Sequence, residues 1–173
     1  MTDEELTKLM QMYAEDAVGI AKKQFGVTLD YSEQSILTVD EILDKMTGGG
    51  IISPASLSPE DEESLWLHCK AYGGYVGEVI VRHIGAVWKA RPSDDGSATI
   101  ELLIADRLKA SPPQKIWKRL TESNLDRTLG YYRGLQHILG KQLFVPAGFP
   151  ESQKPSEPDR PAASPRKSWW KIW

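Results

Sequence analysis

The chain holds 173 residues, 40% of them hydrophobic, with a formal net charge of -3. That suffices for one well-buried core plus a tail and is too little for two full domains. The charge is uneven: residues 1 to 65 carry 14 acids against 4 bases, a net -10, while residues 66 to 150 net +5 and residues 151 to 173 net +2, and so acidic a first half argues against nucleic-acid binding, which needs a continuous basic surface.

Thr2 with Glu5 spells a capping box, and Leu6, Leu9, Met10, Tyr13, Ala17, Ile20, Ala21 and Phe25 recur at helical spacing until Gly26. The pattern predicts a helix of about six turns. Val27 to Tyr31 reads as a connector or a single extended pairing. Ser32 and Ser35 then open a second amphipathic helix that carries Ile36, Val39, Ile42, Leu43 and Met46 to Gly48. Gly48 to Gly50 lack the lysine and the preceding strand of a phosphate-binding loop, so a flexible connection is expected there.

Ser58 to Ile84 is the one stretch that is apolar nearly all round when wound as a helix, and it predicts the central element. Ser58 suits the N-cap, Pro59 the first position, and Glu60 to Glu63 the positive end of the dipole. Gly73, Gly74 and Gly77 each cost about 1 kcal/mol against Ala inside a helix, so either another helix approaches closely there or the helix breaks at Gly73-Gly74; close packing with a local kink is the favoured expectation. After Gly85 the period changes from 3.6 to 2. Ala86 to Ala90 and Ala98 to Ile104 form an expected hairpin around the turn RPSDDGS, with Ile100, Leu102 and Ile104 facing inward. Leu108 to Ala110 adds a third short strand, Pro112 and Pro113 start a short helix, and a last helix is predicted from about Glu122 to Leu139 with Leu125 on its apolar side.

The reading is therefore an α+β domain over 1-145: helices around a central helix, with a small antiparallel hairpin or three-stranded meander. Residues 146-173, rich in Pro, Ser, Glu and Lys, are expected to be a disordered tail. Its SWWKIW motif, Trp169, Trp170, Ile172 and Trp173 beside Arg166, Lys167 and Lys171, is expected to dock on the domain itself, in a partner's groove or on a membrane surface. With no window near about 18 apolar residues and acids where a secretory signal would be basic, a cytoplasmic location is expected.

Candidate chemistry is sparse. His68 and His83 lie about 22 Å apart along one predicted helix, too far to share an ion, and His137 is remote in sequence. No metal and no cofactor are expected. Cys69 falls on an apolar stripe, as a buried small hydrophobe, and His83 sits mid-stripe, where a core histidine is expected. Glu78 and Arg82 are one turn apart, so an intrahelical ion pair is expected. Together with His83 and Trp88 they form the one candidate polar site, on which the alternative reading as a small enzyme rests.

The run GEVIVRHIGAVW, with Gly77, Glu78, Gly85 and Trp88, followed by a hairpin, a proline-led helix and LGYYRGL, resembles small bacterial domains of unknown function, some of them immunity-protein-like. The resemblance covers about residues 1 to 140 and implies a non-enzymatic protein-binding module of adaptor or immunity type with a protein partner.

Overall fold

The computed structural model describes residues 2–92 and 98–148. The Thr2 hydroxyl accepts from the Glu5 amide and the Glu5 carboxylate from the Thr2 amide, so two donors that a helix start leaves free are satisfied. Helix α1 (Asp3–Ile20) buries Leu6, Met10, Ala14 and Ala17 along one stripe. Its end widens into a π-helical turn (Ala21–Phe25), and Gly26, at φ 69°, reverses the chain. Val27 to Tyr31 is a connector without strand pairing. Helix α2 (Ser35–Thr47) buries Ile36, Val39, Ile42 and Leu43 and stops at Gly48. The glycine run that follows is tied down: the Ile52 amide donates to the Leu120 carbonyl at 2.8 Å and the Asn124 side chain to the Gly49 carbonyl at 2.7 Å.

Helix α3 (Pro59–His83) starts on Ser58, whose hydroxyl accepts from the Asp61 amide at 3.2 Å. Its first turns are exposed, yet from Ala71 through Ile80 every residue is buried. The glycines explain how three neighbours reach it at once. A methyl group at Gly74 would stand 2.9 Å from the Met10 carbonyl oxygen of α1, and one at Gly73 would stand 2.5 Å from Cα of Pro113. At Gly77 the neighbour is not the helix that the spacing predicts: a methyl there would overlap the indole ring of Trp88, which comes from the sheet. The helix runs unbroken through all three.

Strands β1 (Ala86–Pro92), β2 (Ala98–Ile104) and β3 (Leu108–Ala110) form an antiparallel sheet in that order, with Trp88 opposite Leu102 and Ile104 opposite Leu108. Trp88, Leu102 and Ile104 face the core. The centre of the predicted RPSDDGS turn lies outside the described residues. The β2–β3 turn is tight, with positive φ at Ala105 and Asp106 and the Arg107 amide donating to the Ile104 carbonyl at 3.3 Å.

Helix α4 (Pro112–Thr121) puts Ile116 and Leu120 into the core and pairs its fully buried Arg119 with Asp44 of α2. Helix α5 (Thr128–Ile138) begins well after the predicted Glu122, and Leu125 is 86% exposed in the irregular segment before it. The cause is Asp40. This buried α2 carboxylate accepts from the amides of Thr128 and Leu129 at 2.8 and 3.0 Å, fixing the positive end of α5 from another helix. The packed chain reaches past residue 145, for Pro146 is buried and the Ala147 amide donates to the Gln34 side chain. Among the described residues the architecture is α+β, five helices and a three-stranded antiparallel sheet. The expected disorder of the tail, and its Trp169, Trp170, Ile172 and Trp173, lie outside the described residues.

Two glycines of similar chemistry should respond oppositely. Gly77→Ala should lower the stability by about 1–3 kcal/mol, as overpacking does. Gly134→Ala, on the exposed side of α5 with nothing within 4 Å of the added methyl, should raise it by up to about 1 kcal/mol. Denaturant midpoints check both, and equal shifts in one direction would contradict this packing.

Candidate functional site

The four polar candidates on α3 and β1 separate into two places. Glu78 and Trp88 are inside, 3% and 2% exposed, and the indole Nε1–H donates to Glu78 Oε1 at 2.9 Å. Arg82 does not return to Glu78, and the expected ion pair is absent from its place. The Arg82 guanidinium lies instead 3.7 Å over the centroid of the Tyr31 ring, a cation–π contact that leaves the arginine exposed rather than drawing it into the core beside Glu78. His83 is likewise outside the core: it is exposed, and its Nε2–H donates to the Tyr31 carbonyl at 2.9 Å. The helical stripe misplaces it because α3 emerges from the core after Ile80.

Tyr31 is thus the hub of the outer group. It takes φ 60°, where a side chain other than glycine is strained by about 1–3 kcal/mol. Its ring stacks on Tyr75 with centroids 4.8 Å apart, its amide donates to the Tyr75 hydroxyl at 2.7 Å, and that hydroxyl shares a 2.6 Å bond with Ser35. These contacts clamp the α1–α2 connector onto α3. Glu78 faces an indole, while Arg82 and His83 face Tyr31, so no acid–base pair converges on a cavity here.

Cys69 is buried, and burial pushes its thiol up to about 12, far from a nucleophilic thiolate at neutral pH. Among the described residues no three His, Cys, Asp or Glu side chains gather as a metal ion would require.

A groove of about 590 Å³ runs between α1 and α3. Tyr13, Ile20, Leu67 and Ala71 supply apolar wall, while Glu15 and Asp16 stand at the rim. Leu67 is 50% exposed although it belongs to the central helix. Gly19 keeps the α1 side open: nothing lies within 4 Å of where its Cβ would be, so no packing explains a glycine in mid-helix. The π-helical turn then brings Lys23 and Gln24 to the groove; π-helical turns are rare and occur frequently at functional sites. His68 also lines it, and burial holds its imidazole below the usual histidine range. A second groove, about 620 Å³, lies beside Glu33, His83, Gln136 and Lys141, and these four side chains are engaged in hydrogen bonds. The Glu33 carboxylate accepts from Tyr132 and Gln136, and Lys141 donates to the Ile84 carbonyl.

Residue spacing along single elements does not reveal the α1–α3 groove, because a groove is a space between elements. The sequence features that could have marked it are Gly19 inside the α1 pattern and Leu67, an apolar residue on the N-terminal half of α3 whose neighbours one turn earlier, Glu63 and Ser64, are acidic and polar. Comparison of the chain with known protein families, with curated proteins and with solved structures finds no match.

Replacing Glu78 by Leu should cost about 1–3 kcal/mol, because the buried Trp88 N–H is left without an acceptor, while Glu78→Gln keeps the acceptor and should cost less. Urea melts check the ranking, and equal loss would contradict the assigned role. His68 should titrate in NMR with a midpoint below about 6.5. With the folded value below the unfolded one, its contribution to stability is present in full above the unfolded pKa and is lost as pH falls through the folded pKa. A midpoint at or above that of a free histidine would contradict the burial argument.

Proposed function

We propose that this chain is a cytoplasmic, non-enzymatic protein-binding module of the adaptor or immunity type that the resemblance implies. Its docking surface is the α1–α3 groove, and the matching partner segment is basic and carries large apolar side chains. The observation that carries the reading is the groove itself, with apolar walls, an acidic rim at Glu15 and Asp16, and an α1 side held open by Gly19. The polar residues that an enzyme would need are spent otherwise: Glu78 holds Trp88, and Arg82 and His83 hold Tyr31. No helix among the described residues is long and apolar enough to cross a membrane, which accords with a module that meets its partner in solution.

Complementary charge at a solvent-exposed rim acts mainly on encounter and is screened by salt. A photo-crosslinking residue at Leu67 should therefore trap one discrete partner in the native host. The adduct should disappear when Glu15→Lys and Asp16→Lys are added. The same label at Val87, exposed on β1 away from the groove, should not trap it. An adduct pattern identical at Leu67 and Val87, or indifferent to the charge reversal, would contradict the assignment.

A further inference from the structure

We propose that the α1–α3 groove is occupied in the resting protein by the chain's own Trp169–Trp173 segment, which a partner must displace. The proposal rests on the reading of the groove as a peptide-docking surface, and it identifies the ligand that competes there.

Chemistry favours this segment. Trp169, Trp170, Ile172 and Trp173 are large apolar side chains flanked by Arg166, Lys167 and Lys171, with no acid from Pro161 onward. The groove offers apolar wall at Tyr13, Ile20, Leu67 and Ala71 beneath Glu15 and Asp16. Glu60 and Glu63 continue the α3 stripe of Ser64, Leu67 and Ala71 by a further turn, on exposed backbone. The groove, about 590 Å³ and open to solvent, has room for indole side chains laid against its apolar wall. The second groove fits the same segment less well, because the Glu33 carboxylate, its one acidic group, already accepts from Tyr132 and Gln136, whereas Glu15 and Asp16 are in no ion pair among the described residues.

Reach also permits it. The 20 residues from 149 to 168 span up to about 70 Å when stretched, whereas a packed body of this size is on the order of 40 Å across. A tethered segment of this kind is present at an effective concentration of roughly millimolar. An untethered partner segment of similar chemistry must exceed that value or bind more tightly. The tail therefore sets a threshold for partner binding.

Nuclear Overhauser contacts in the full-length chain test this directly. Single replacements Trp169→Ala, Trp170→Ala and Trp173→Ala identify the three indole signals. The expected result is contact between those indoles and the methyl groups of Ile20 and Leu67, persisting on dilution and weakening in high salt. Both Gly19→Leu, which fills the groove at a position where a side chain meets nothing, and Asp16→Lys, at an exposed site, should abolish the contacts without unfolding the chain. The triple alanine chain should also give more of the Leu67 partner adduct. Several results would overturn the proposal: indoles that touch no methyl, indoles that touch another face, contacts seen only between differently labelled copies, or indoles taken up only by anionic vesicles. If the tail contacts are absent while the Leu67 adduct persists, the tail assignment alone fails. If both are absent, the reading of the groove fails with it.

Discussion

A tryptophan ring seated against bare helix backbone is the contact on which the rest of this structure depends. Trp88 is the largest fully buried side chain among the described residues, and its six-membered ring occupies the space where any other residue at position 77 would carry its Cβ. The next residue, Glu78, supplies the acceptor without which a buried indole N–H would cost about 1–3 kcal/mol. Gly85, at φ 87°, turns the chain out of α3 so that β1 can bring Trp88 back over Gly77. Gly73 and Gly74 extend the same device to α4 and α1. Each glycine weakens the helix by about 1 kcal/mol, and the close packing of three elements on one bare surface offsets that loss.

The same device explains what was legible in the sequence. Caps, stripes and the change of period are local signals, and they placed α1, α2, α3 and the three strands close to their observed limits. The glycines announced close approach, but nothing local says whether a helix or an indole will fill the space. The start of α5 was illegible for a related reason. Asp40, the residue that fixes it, lies 88 positions earlier in the chain than Thr128, and its carboxylate caps a helix it does not belong to. Arg82 and His83 were misread because the apolar stripe gave no hint that α3 leaves the core after Ile80, nor that Tyr31 would stand beside it.

The candidate site divides along the same line. The residues singled out for their chemistry turn out to be joints, Glu78 to Trp88 and Arg82 and His83 to Tyr31, and the buried charges Asp40 and Arg119 are joints as well, to α5 and to Asp44. The groove between α1 and α3 is marked instead by residues with no structural employment. A Cβ at Gly19 would meet nothing within 4 Å, Leu67 is a large apolar side chain left half exposed, and Glu15 and Asp16 are absent from the ion pairs among the described residues. The docking role proposed for this groove rests on these unspent residues rather than on reactive ones.

A double-mutant cycle between positions 77 and 88 tests the central contact most directly. In the parent chain Gly77→Ala should destabilise by about 1–3 kcal/mol. In a Trp88→Leu background the ring is gone and the same substitution should become neutral or stabilise by up to about 1 kcal/mol, as alanine does in an unobstructed helix. The predicted coupling is therefore at least about 1 kcal/mol. The same cost for Gly77→Ala in both backgrounds would contradict the claim that Gly77 is bare because Trp88 is seated there.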